Sequence, residues 1–589
     1  MNPKEMPANV RGEKAEPAHE HDAVWRMWQG IFEKQRSQVD PIGMFAPIMH
    51  AHAAWLAHPL ELAERMTRTT QELIALQVHA ARRLAGGSEP DVVLPNADDQ
   101  RFADPVWTDS AGWDVLKEWY LFYTRNIQDA LFEAPGLAHK ERRRAAFWWR
   151  KWLNMVAPTN FFLTNPVAVR KAIESSGQSL QKGIEEMLAD LQSGGVRMTS
   201  PEDFEVGVNL ATTPGEVVFR NHLIELIRYT PVTAKVHETP IVIVTPWINK
   251  FYVLDLTPKK SMVQYLLKQG FSVFIVSWKN PTAEMAGVTF DDYLTDGVDA
   301  AVNVARATTG AKRVHAVGYC IGGTLLSTYM AWLNKRHARE EDVPVAHWTL
   351  FTTLTDFQSP GDIEVFLDEA SVNWICDNMK KKGFLDGKEM ASTFRLMRSN
   401  SLIWHYVVHG WLYGEKPPPF DVLFWNMDTT RMPAAMHEYY LREMYLKNHL
   451  IEPDALTIAG EPISLKRIRQ PLYAVSAEDD HVAPWRQTFR INQWVQGPKR
   501  YVLSSSGHIL GIVNPPANPP KRKYWVGPAH RRNTADGWHA DAELHDGTWW
   551  EDWVAWLRPQ CGPLIDAPPV SSKAYPKLAD APGTYVLET

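Results

Sequence analysis

The chain has 589 residues, of which 45% are hydrophobic and 22% are charged. That composition excludes a wholly disordered, collagenous or coiled-coil protein, and the length suggests about three domains, or two of which one is large. The formal net charge of −6 at pH 7 gives no reason to expect nucleic acid as a partner.

Three cysteines, Cys320, Cys376 and Cys561, lie far apart along the sequence. Their spacing disfavours a disulfide framework and a Cys-rich zinc site, and it fits a reducing cytoplasm. Because no clustered metal-ligand spacing appears, we expect no metal. Residues 1–22 lack the apolar core of a signal peptide, and no run of about 18 or more apolar residues predicts a transmembrane segment.

The N-terminal third of the chain has the residue pattern of helices. Residues 1–20 are polar and are interpreted as a mobile tail. Residues 21–199 are predicted to form an all-helical domain. It begins with an apolar stripe at spacings of three and four residues: Trp25, Trp28, Ile31 and Phe32. Pro166 is expected to begin a helix and Gly194-Gly195 to end one. The sequence assigns no chemistry to this domain.

Short β-branched runs separated by helical stretches follow residue 200. Six such runs are predicted to be strands: 241–245, 272–277, 313–317, 348–354, 472–476 and 501–504. Their alternation with helices predicts a mostly parallel sheet with right-handed crossovers, in a catalytic domain that covers residues 200–589. The stretch from about 356 to 470 contains no obvious strand, so we expect a helical cap inserted over the sheet.

The clearest motif is Gly-Tyr-Cys-Ile-Gly at residues 318–322, between a predicted strand and a helix expected to begin at Thr324. It has the pattern of the nucleophile elbow of α/β hydrolases, with Cys in place of the usual Ser. Gly318 and Gly322 leave the strained turn free of side chains, and the helix N-terminus favours a thiolate at Cys320. The alternative is a buried cysteine in a glycine-rich turn.

Two main-chain amides are expected to stabilise an oxyanion beside this cysteine. The N–H of Ile321 directly follows the nucleophile and can point at a developing negative charge. A second donor should come from the loop after the first central strand, residues 245–250. The N–H of Ile248 is our candidate there, and the alternative is that the loop is only a tight turn.

A base and an acid follow the nucleophile in chain order in this fold. His508 is the predicted base and Asp480 the predicted acid, and each comes directly after one of the last two predicted strands. Parallel sheets place their ligands at those strand ends. Asp479 and Asp356 are rivals for the acid, and either could instead be a turn or cap carboxylate. His481 is interpreted as a structural neighbour rather than as the base.

Cysteine changes the chemistry that such a site performs. An acyl group on Cys320 is a thioester, which stays activated for transfer, whereas the ester on a serine is commonly cleared by water. Exchange between thioesters is nearly energy-neutral, and transfer to an alcohol is downhill. A cap that excludes water would suppress hydrolysis. The sequence therefore favours an acyltransferase that accepts from a thiol carrier and donates to a hydroxyl.

A set of segments from about residue 100 onward occurs in an order that is more specific than any single motif. The segments are 102–107, 160–166, 246–256, 276–281, 318–322, 420–426, 478–481, 506–509 and 547–550. In them the sequence resembles the class I polyhydroxyalkanoate synthases, whereas the first hundred residues match weakly. The resemblance implies an α/β-hydrolase fold with a helical cap insertion, preceded by an all-α N-terminal domain.

The resemblance also implies a substrate and roles for three residues. The substrate would be (R)-3-hydroxyacyl-coenzyme A, with 3-hydroxybutyryl-CoA as the expected monomer. CoA would be part of the substrate, so no cofactor is expected. Cys320 would hold the growing polyester chain and His508 would activate its thiol. Asp480 would orient His508 or help it activate the 3-hydroxyl of the monomer.

Three further residues are candidates for the acyl pocket. Trp425 could line that pocket or fill the core of the cap. Leu510 stands where the family usually has a smaller or polar residue, a departure that bears on the preferred monomer length. His481 is the third candidate, beside its interpretation as a structural neighbour of the acid.

Partners and location follow from the same resemblance. It implies a homodimer in the cytoplasm, at the surface of polyester granules, with the N-terminal domain facing the granule or granule-associated proteins. Two other functions fit the sequence. A thioesterase or polyester hydrolase could use the same fold and would release free acid. A non-catalytic scaffold of the granule surface is the other, and an intact set of Cys, Asp and His argues against it.

Overall fold

The computed structural model describes residues 40–96 and 99–589. The chain divides into two units. The first contains the residues up to Thr199 together with Phe394–Pro418, and the second contains Ser200–Thr393 and Pro419–Thr589. The expected cap insertion is therefore divided, because its middle part belongs to the first unit. The predicted mobile tail (1–20) and the predicted stripe of Trp25, Trp28, Ile31 and Phe32 lie outside the described residues.

The described part of the first unit is helical wherever it has regular structure. Its described α-helices of six or more residues before Thr199 are α1 (Ala46–Ala57), α2 (Pro59–Leu84), α3 (Ala111–Phe132), α4 (His139–Met155), α5 (Pro166–Glu174) and α6 (Gln178–Ser193). Helix α5 begins at Pro166 as predicted, because the Asn165 side chain accepts hydrogen bonds from the amides of Val167 and Ala168. Helix α6 ends at Gly194, whose φ of 80° is left-handed.

The buried face of helix α6 consists of small and polar residues. Ser179, Gly183 and Asp190 are its buried residues. A Cβ on Gly183 would lie 2.0 Å from the carbonyl oxygen of Trp411, and the Trp411 indole N–H donates to Asp190 over 2.8 Å. Only glycine fits at such a close approach. The helix therefore turns its apolar residues outward, which is the reverse of the usual arrangement.

The second unit is built on one mixed sheet of eleven strands. In chain order they are β1 (Gly215–Arg220), β2 (Ile224–Tyr229), β3 (Ile241–Val244), β4 (Val273–Trp278), β5 (Val314–Tyr319), β6 (Val345–Phe351), β7 (Leu472–Ala477), β8 (Lys499–Ser504), β9 (Lys523–Pro528), β10 (Glu543–Asp546) and β11 (Ala579–Asp580). The spatial order is β10-β9-β8-β7-β6-β5-β3-β4-β2-β1-β11.

The centre of this sheet is parallel and its flanks are antiparallel. Strands β3 to β8 are the six predicted ones, and they pair in parallel. Strands β1, β2 and β11 on one side and β9 and β10 on the other pair antiparallel with their neighbours. The expectation of a mostly parallel sheet is thus right for the centre and wrong for the flanks.

Helices cover both faces of the sheet. The α-helices of six or more residues after Thr199 are α7 (Met262–Lys268), α8 (Ala300–Thr309), α9 (Ile321–Arg336), α10 (Glu369–Lys382), α11 (Gly387–Met397), α12 (Asp421–Met427), α13 (Ala434–Tyr439), α14 (Ala535–Asp541) and α15 (Trp549–Leu557), of which α11 runs from the second unit into the first. Apolar residues of α8 and α9 share one buried cluster with the sheet, and those of α7 and α15 share the other. The parallel strands are buried on both faces as a result.

The stretch between β6 and β7 is mainly helical, as predicted, but it is not free of strands. Phe384–Leu385 pairs with Met432–Pro433, and Leu456–Ile458 pairs with Glu461–Ile463. A further short pair, Lys235–His237 with Leu564–Asp566, lies outside this stretch. None of the described helices combines the length and the apolar character that crossing a membrane requires.

Candidate active site

Cys320 stands on a sharp turn between β5 and α9. Its backbone has φ 52° and ψ −122°, which is an unfavourable conformation for a residue with a side chain. Such strain is characteristic of functional sites. The helix begins at Ile321 rather than at the predicted Thr324, because Cys320 itself occupies the N-cap position. The thiol thus lies at the positive end of a sixteen-residue helix.

Two glycines make this turn possible. A Cβ on Gly318 would lie 2.5 Å from the Cα of Gly323, and one on Gly322 would lie 2.6 Å from the carbonyl oxygens of Val244 and Thr245. Real Cβ atoms do not approach other atoms so closely, so each position requires glycine. The second contact also brings the turn against the end of β3, where the predicted oxyanion loop begins.

His508 and Asp480 lie together at the ends of β8 and β7. The Nδ1 atom of His508 is 2.7 Å from Oδ2 of Asp480. The other carboxylate oxygen of Asp480 accepts hydrogen bonds from the amides of Val482, over 2.9 Å, and Ala483, over 2.8 Å. Asp480 is therefore held in one orientation by its own loop, and it in turn fixes the imidazole.

The protonation of His508 is controlled by its two neighbours. Burial lowers the pKa of His508, but Asp480 and Cys320, each through its charge and a side-chain hydrogen bond, raise that pKa well above its ordinary value. The ring thus lies between a carboxylate and a thiol that both favour its protonated form. A cysteine beside a histidine that can accept its proton is an activated nucleophile.

The rival residues are placed elsewhere. Asp479 is exposed, and its amide donates to the carbonyl of Ser506 over 2.9 Å. Asp356 is fully buried, with Arg490 Nε 2.9 Å from its carboxylate. The main-chain carbonyl of His481 accepts a hydrogen bond from Asp362 over 3.2 Å.

The other two cysteines are buried and lack an elbow. Burial raises the pKa of Cys376 to about 11 and that of Cys561 to about 12. A thiol with so high a pKa remains protonated at neutral pH and is a poor nucleophile. Cys320, which is partly exposed, is therefore the cysteine suited to catalysis.

The two candidate oxyanion donors are available. The amides of Ile321 and Ile248 make no hydrogen bond to any acceptor within the described part of the chain. Ile321 is the first residue of α9, where main-chain amides lack partners inside the helix. Ile248 lies just after β3, and the last residue of β3, Val244, pairs with Gly318 of β5. The two amides consequently belong to neighbouring strand ends.

The pocket candidates differ in their surroundings. Trp425 is buried, and its indole N–H donates to the carbonyl of Lys250 over 2.6 Å. Those contacts fit the core interpretation of Trp425. Leu510 is partly buried and packs on the same apolar cluster as Cys320.

Three tyrosines near Cys320 and His508 were not among the sequence candidates. The Tyr319 ring stacks on His508 with centroids 5.8 Å apart, and its hydroxyl donates to the His508 carbonyl over 3.2 Å. Burial raises the pKa of Tyr440 and of Tyr445, and Cys320 contributes to both shifts. Tyr319 could have been noticed within the elbow motif, whereas the cap tyrosines carry no motif.

No cluster of three or more His, Cys, Asp or Glu side chains that could hold a metal occurs among residues 40–96 and 99–589. What this part of the chain does contain is a cysteine, a histidine and a carboxylate in the order used by α/β hydrolases, beside two free main-chain amides. This arrangement can form an acyl-thioester and transfer it.

Comparisons with known proteins agree with this chemistry. A family described as the N-terminus of poly-beta-hydroxybutyrate polymerase (PhaC) matches residues 98–266, and the alpha/beta hydrolase fold matches residues 240–515. A curated poly(3-hydroxyalkanoate) polymerase subunit PhaC of Cupriavidus necator is 38% identical over 97% of this chain and 96% of its own length. A poly(3-hydroxyalkanoate) polymerase of Methylorubrum extorquens is also 38% identical, over 90% of this chain and 88% of its own.

Proposed function

Because this chain belongs to the poly(3-hydroxyalkanoate) polymerase family, we propose that it joins (R)-3-hydroxyacyl groups from their CoA thioesters into a polyester, with Cys320 as the nucleophile. It is thus an acyltransferase. The observation that carries this proposal is the strained Cys320 turn beside His508, whose ring is 2.7 Å from Asp480. CoA enters as part of the substrate, so the reaction needs no cofactor.

The first step loads the thiol. His508 takes the proton of Cys320, and the sulfur attacks the carbonyl carbon of the hydroxyacyl-CoA. The oxygen of the tetrahedral intermediate accepts hydrogen bonds from the amides of Ile321 and Ile248. The intermediate collapses with cleavage of the bond to the CoA sulfur, and that sulfur takes the proton from His508. Free CoA leaves, and Cys320 holds the acyl group as a thioester.

The second step lengthens the chain. The 3-hydroxyl of an incoming hydroxyacyl-CoA gives its proton to His508, whose ring Asp480 holds in place, and its oxygen attacks the thioester carbonyl on Cys320. An ester bond forms, and the Cys320 sulfur leaves and regains the proton. The product is one unit longer and ends in a CoA thioester. Repeating the first step returns it to Cys320 with release of CoA.

The monomer preference is proposed from the resemblance and from Leu510. The class I likeness favours 3-hydroxybutyryl-CoA. Leu510 packs on the apolar cluster that contains Cys320, so its size bears on how long an acyl side chain fits beside the thiol. A leucine at this place keeps the pocket apolar, which suits an alkyl substituent on the 3-carbon.

The surface of the helical unit supports a location at polyester granules. Most of the exposed large apolar side chains among the described residues belong to this unit, although it is the smaller of the two. On α6 they form one stripe, with Ile184 55%, Leu188 49% and Leu191 66% exposed. Contiguous apolar patches mark interaction sites, and the product of the reaction is itself an apolar surface. From the family resemblance we also propose that the protein forms a homodimer and lies in the cytoplasm.

The two alternative functions are less well supported. A hydrolase would share the fold and the residues, but the curated relatives that match most of the chain carry the name polymerase. A non-catalytic scaffold would have no need for a strained nucleophile beside a histidine whose pKa is raised by a buried carboxylate.

The experiment is to incubate the purified chain with (R)-3-hydroxybutyryl-CoA, to follow thiol release, and to weigh the product. We expect thiol release together with insoluble polyester, and loss of both in Cys320→Ala. Cys376→Ala is the matched control, since that thiol is buried in the core, and it should retain the reaction. Soluble hydroxy acid without polymer would move the protein to the hydrolases, and full activity in Cys320→Ala would reject the nucleophile.

A further inference from the structure

The loop 245–250, which carries the Ile248 amide, is hydrogen-bonded to the segment 425–430. Thr430 donates from its amide to the carbonyl of Ile248 over 3.0 Å, and its hydroxyl donates to the carbonyl of Trp247. The side-chain amide of Asn249 lies within 3.4 Å of three carbonyl oxygens of this segment. The carbonyls of Trp247 and Ile248 are therefore used as acceptors, whereas the Ile248 N–H makes no hydrogen bond within the described part of the chain.

Lys250 closes the loop and connects it to a distant part of the chain. Its side chain is 3% exposed. The ammonium donates to the carbonyls of Val586, over 2.7 Å, and Glu588, over 2.5 Å, and it lies 3.3 Å from Oδ1 of Asp428. A buried ammonium is tolerated only when its three donors are satisfied. Here the three acceptors come from two separate segments, so the lysine joins both to the loop.

Residues 584–589, here called the terminal segment, are themselves anchored to the sheet. The buried Glu225 of β2 accepts hydrogen bonds from the amides of Thr584 and Tyr585, both over 2.9 Å. At the other end of the segment, Glu588 pairs with Lys279 over 2.6 Å and accepts from the amide of Asn280 over 3.1 Å. The terminal segment is thus a fixed base for Lys250 rather than a loose end.

We propose that Lys250 is a positioning residue for the acyl transfer: by joining the terminal segment to the loop 245–250, it holds the Ile248 amide toward the oxygen that becomes negative on attack by Cys320. This inference rests on the proposed function, in which Ile248 is one of two oxyanion donors. Such a donor works only if it is already in place when the charge develops. A misplacement of about 1 Å can cost roughly a hundredfold in rate.

The test separates positioning from folding by using two reactions of the same thiol. Acylation of Cys320 by (R)-3-hydroxybutyryl-CoA passes through an oxyanion, whereas its alkylation by iodoacetamide does not. In Lys250→Met we expect single-turnover acylation to fall about 10- to 100-fold, with the alkylation rate, followed by mass on the Cys320 peptide, unchanged. Lys260→Met is the matched control, because that lysine pairs with Asp421 and makes no contact with the terminal segment.

If Lys250→Met does not fold, a second variant can test the same inference. Glu588→Ala removes the pairing with Lys279 and leaves Lys250 in place, and it should lower acylation several-fold with normal alkylation. Equal losses in both reactions, or acylation at the wild-type rate in a folded variant, would overturn the inference. If the wild-type chain does not acylate Cys320 at all, the proposed function fails instead, so the two failures are distinguishable.

Discussion

The two units of this molecule place their apolar side chains in opposite ways. In the catalytic unit the central strands β3 to β7 are almost completely buried, and three tryptophans of α15, Trp549, Trp550 and Trp553, lie inside. In the helical unit, α6 buries Ser179, Gly183 and Asp190 while Ile184, Leu188 and Leu191 are exposed. The first arrangement buries apolar surface inside the protein and so stabilises the fold. The second leaves apolar surface exposed, where another molecule or surface can bind.

This difference teaches that equal sequence patterns can serve opposite purposes. The apolar spacing of α6 is that of an ordinary amphipathic helix, from which burial of the apolar stripe would be predicted. The structure assigns the buried side to small and polar residues because Trp411 approaches the backbone at Gly183. We therefore expect substitutions in the catalytic unit to act on chemistry and stability, and substitutions on the α6 stripe to act on association.

The largest effect is expected at the elbow. Gly322→Ala would place a Cβ 2.6 Å from the carbonyl oxygens of Val244 and Thr245, so the turn that carries Cys320 must move. We expect polymerisation to be lost and the free energy of unfolding to fall by about 1–3 kcal/mol. Activity assays and chemical denaturation measure the two quantities. Gly287→Ala is the control, since a Cβ there meets nothing within 4 Å, and an equal loss in it would refute the argument.

A smaller effect is expected at the acid. Asp480→Asn preserves the shape of the site but removes the charge that holds His508, and we expect kcat to fall roughly 10²- to 10⁴-fold. Asp479→Asn, one residue away and exposed, should change kcat less than about twofold. Steady-state kinetics on (R)-3-hydroxybutyryl-CoA would check both. Similar losses in the two variants would mean that the acid had been misassigned.

The raised pKa of His508 predicts the sign of a pH effect on stability. The folded protein holds this proton more tightly than the unfolded chain, in which the pKa of histidine is about 6.5. The stabilisation is therefore complete below about pH 6.5 and is lost as the pH rises through the folded pKa, with a slope of at most about 1.4 kcal/mol per pH unit. Denaturant titrations from pH 6 to pH 9 should show this decline, and Asp480→Asn should flatten it.

The smallest effect on stability is expected on the α6 stripe. Replacing Ile184, Leu188 and Leu191 by glutamate should change the free energy of unfolding by less than about 0.5 kcal/mol for each substitution. It should leave soluble acylation intact and lower the fraction bound to polyester particles several-fold in a sedimentation assay. Glutamate at the exposed Gln178, Gln181 and Gln192 adds the same charge and is the control. Equal release by both variants would point to charge rather than to the stripe.

The catalytic framework could be predicted from sequence because it depends on local signals. The six central strands are β-branched runs, and the turn at Cys320 has its two glycines at fixed spacing. The flanking strand Glu543–Asp546 was not predictable because it is largely exposed and lacks an apolar pattern. The positions of the flanking strands depend on pairing with neighbouring strands.

The contacts of the site were predictable only in part. His508 and Asp480 follow strands, so their proximity could be expected from the order of the sheet. The sequence predicted Asp480 but left Asp356 open as a rival, because the pairing of Asp356 with Arg490 joins segments that lie far apart in the chain. Nothing local in the sequence indicates that Lys250 reaches Val586 and Glu588, which lie more than three hundred residues away.

The helical unit is assembled from two stretches of chain, and this has a consequence for its synthesis on the ribosome. Lys171 pairs with Glu415, Asp190 accepts from Trp411, and Thr199 donates to the carbonyl of Pro418, which follows it by 219 residues. At roughly 5–20 residues per second, the ribosome needs roughly 10–40 seconds to make the intervening chain. The N-terminal helices therefore leave the ribosome before the segment Phe394–Pro418 has been made. About half of the strands of the sheet are synthesised in the interval.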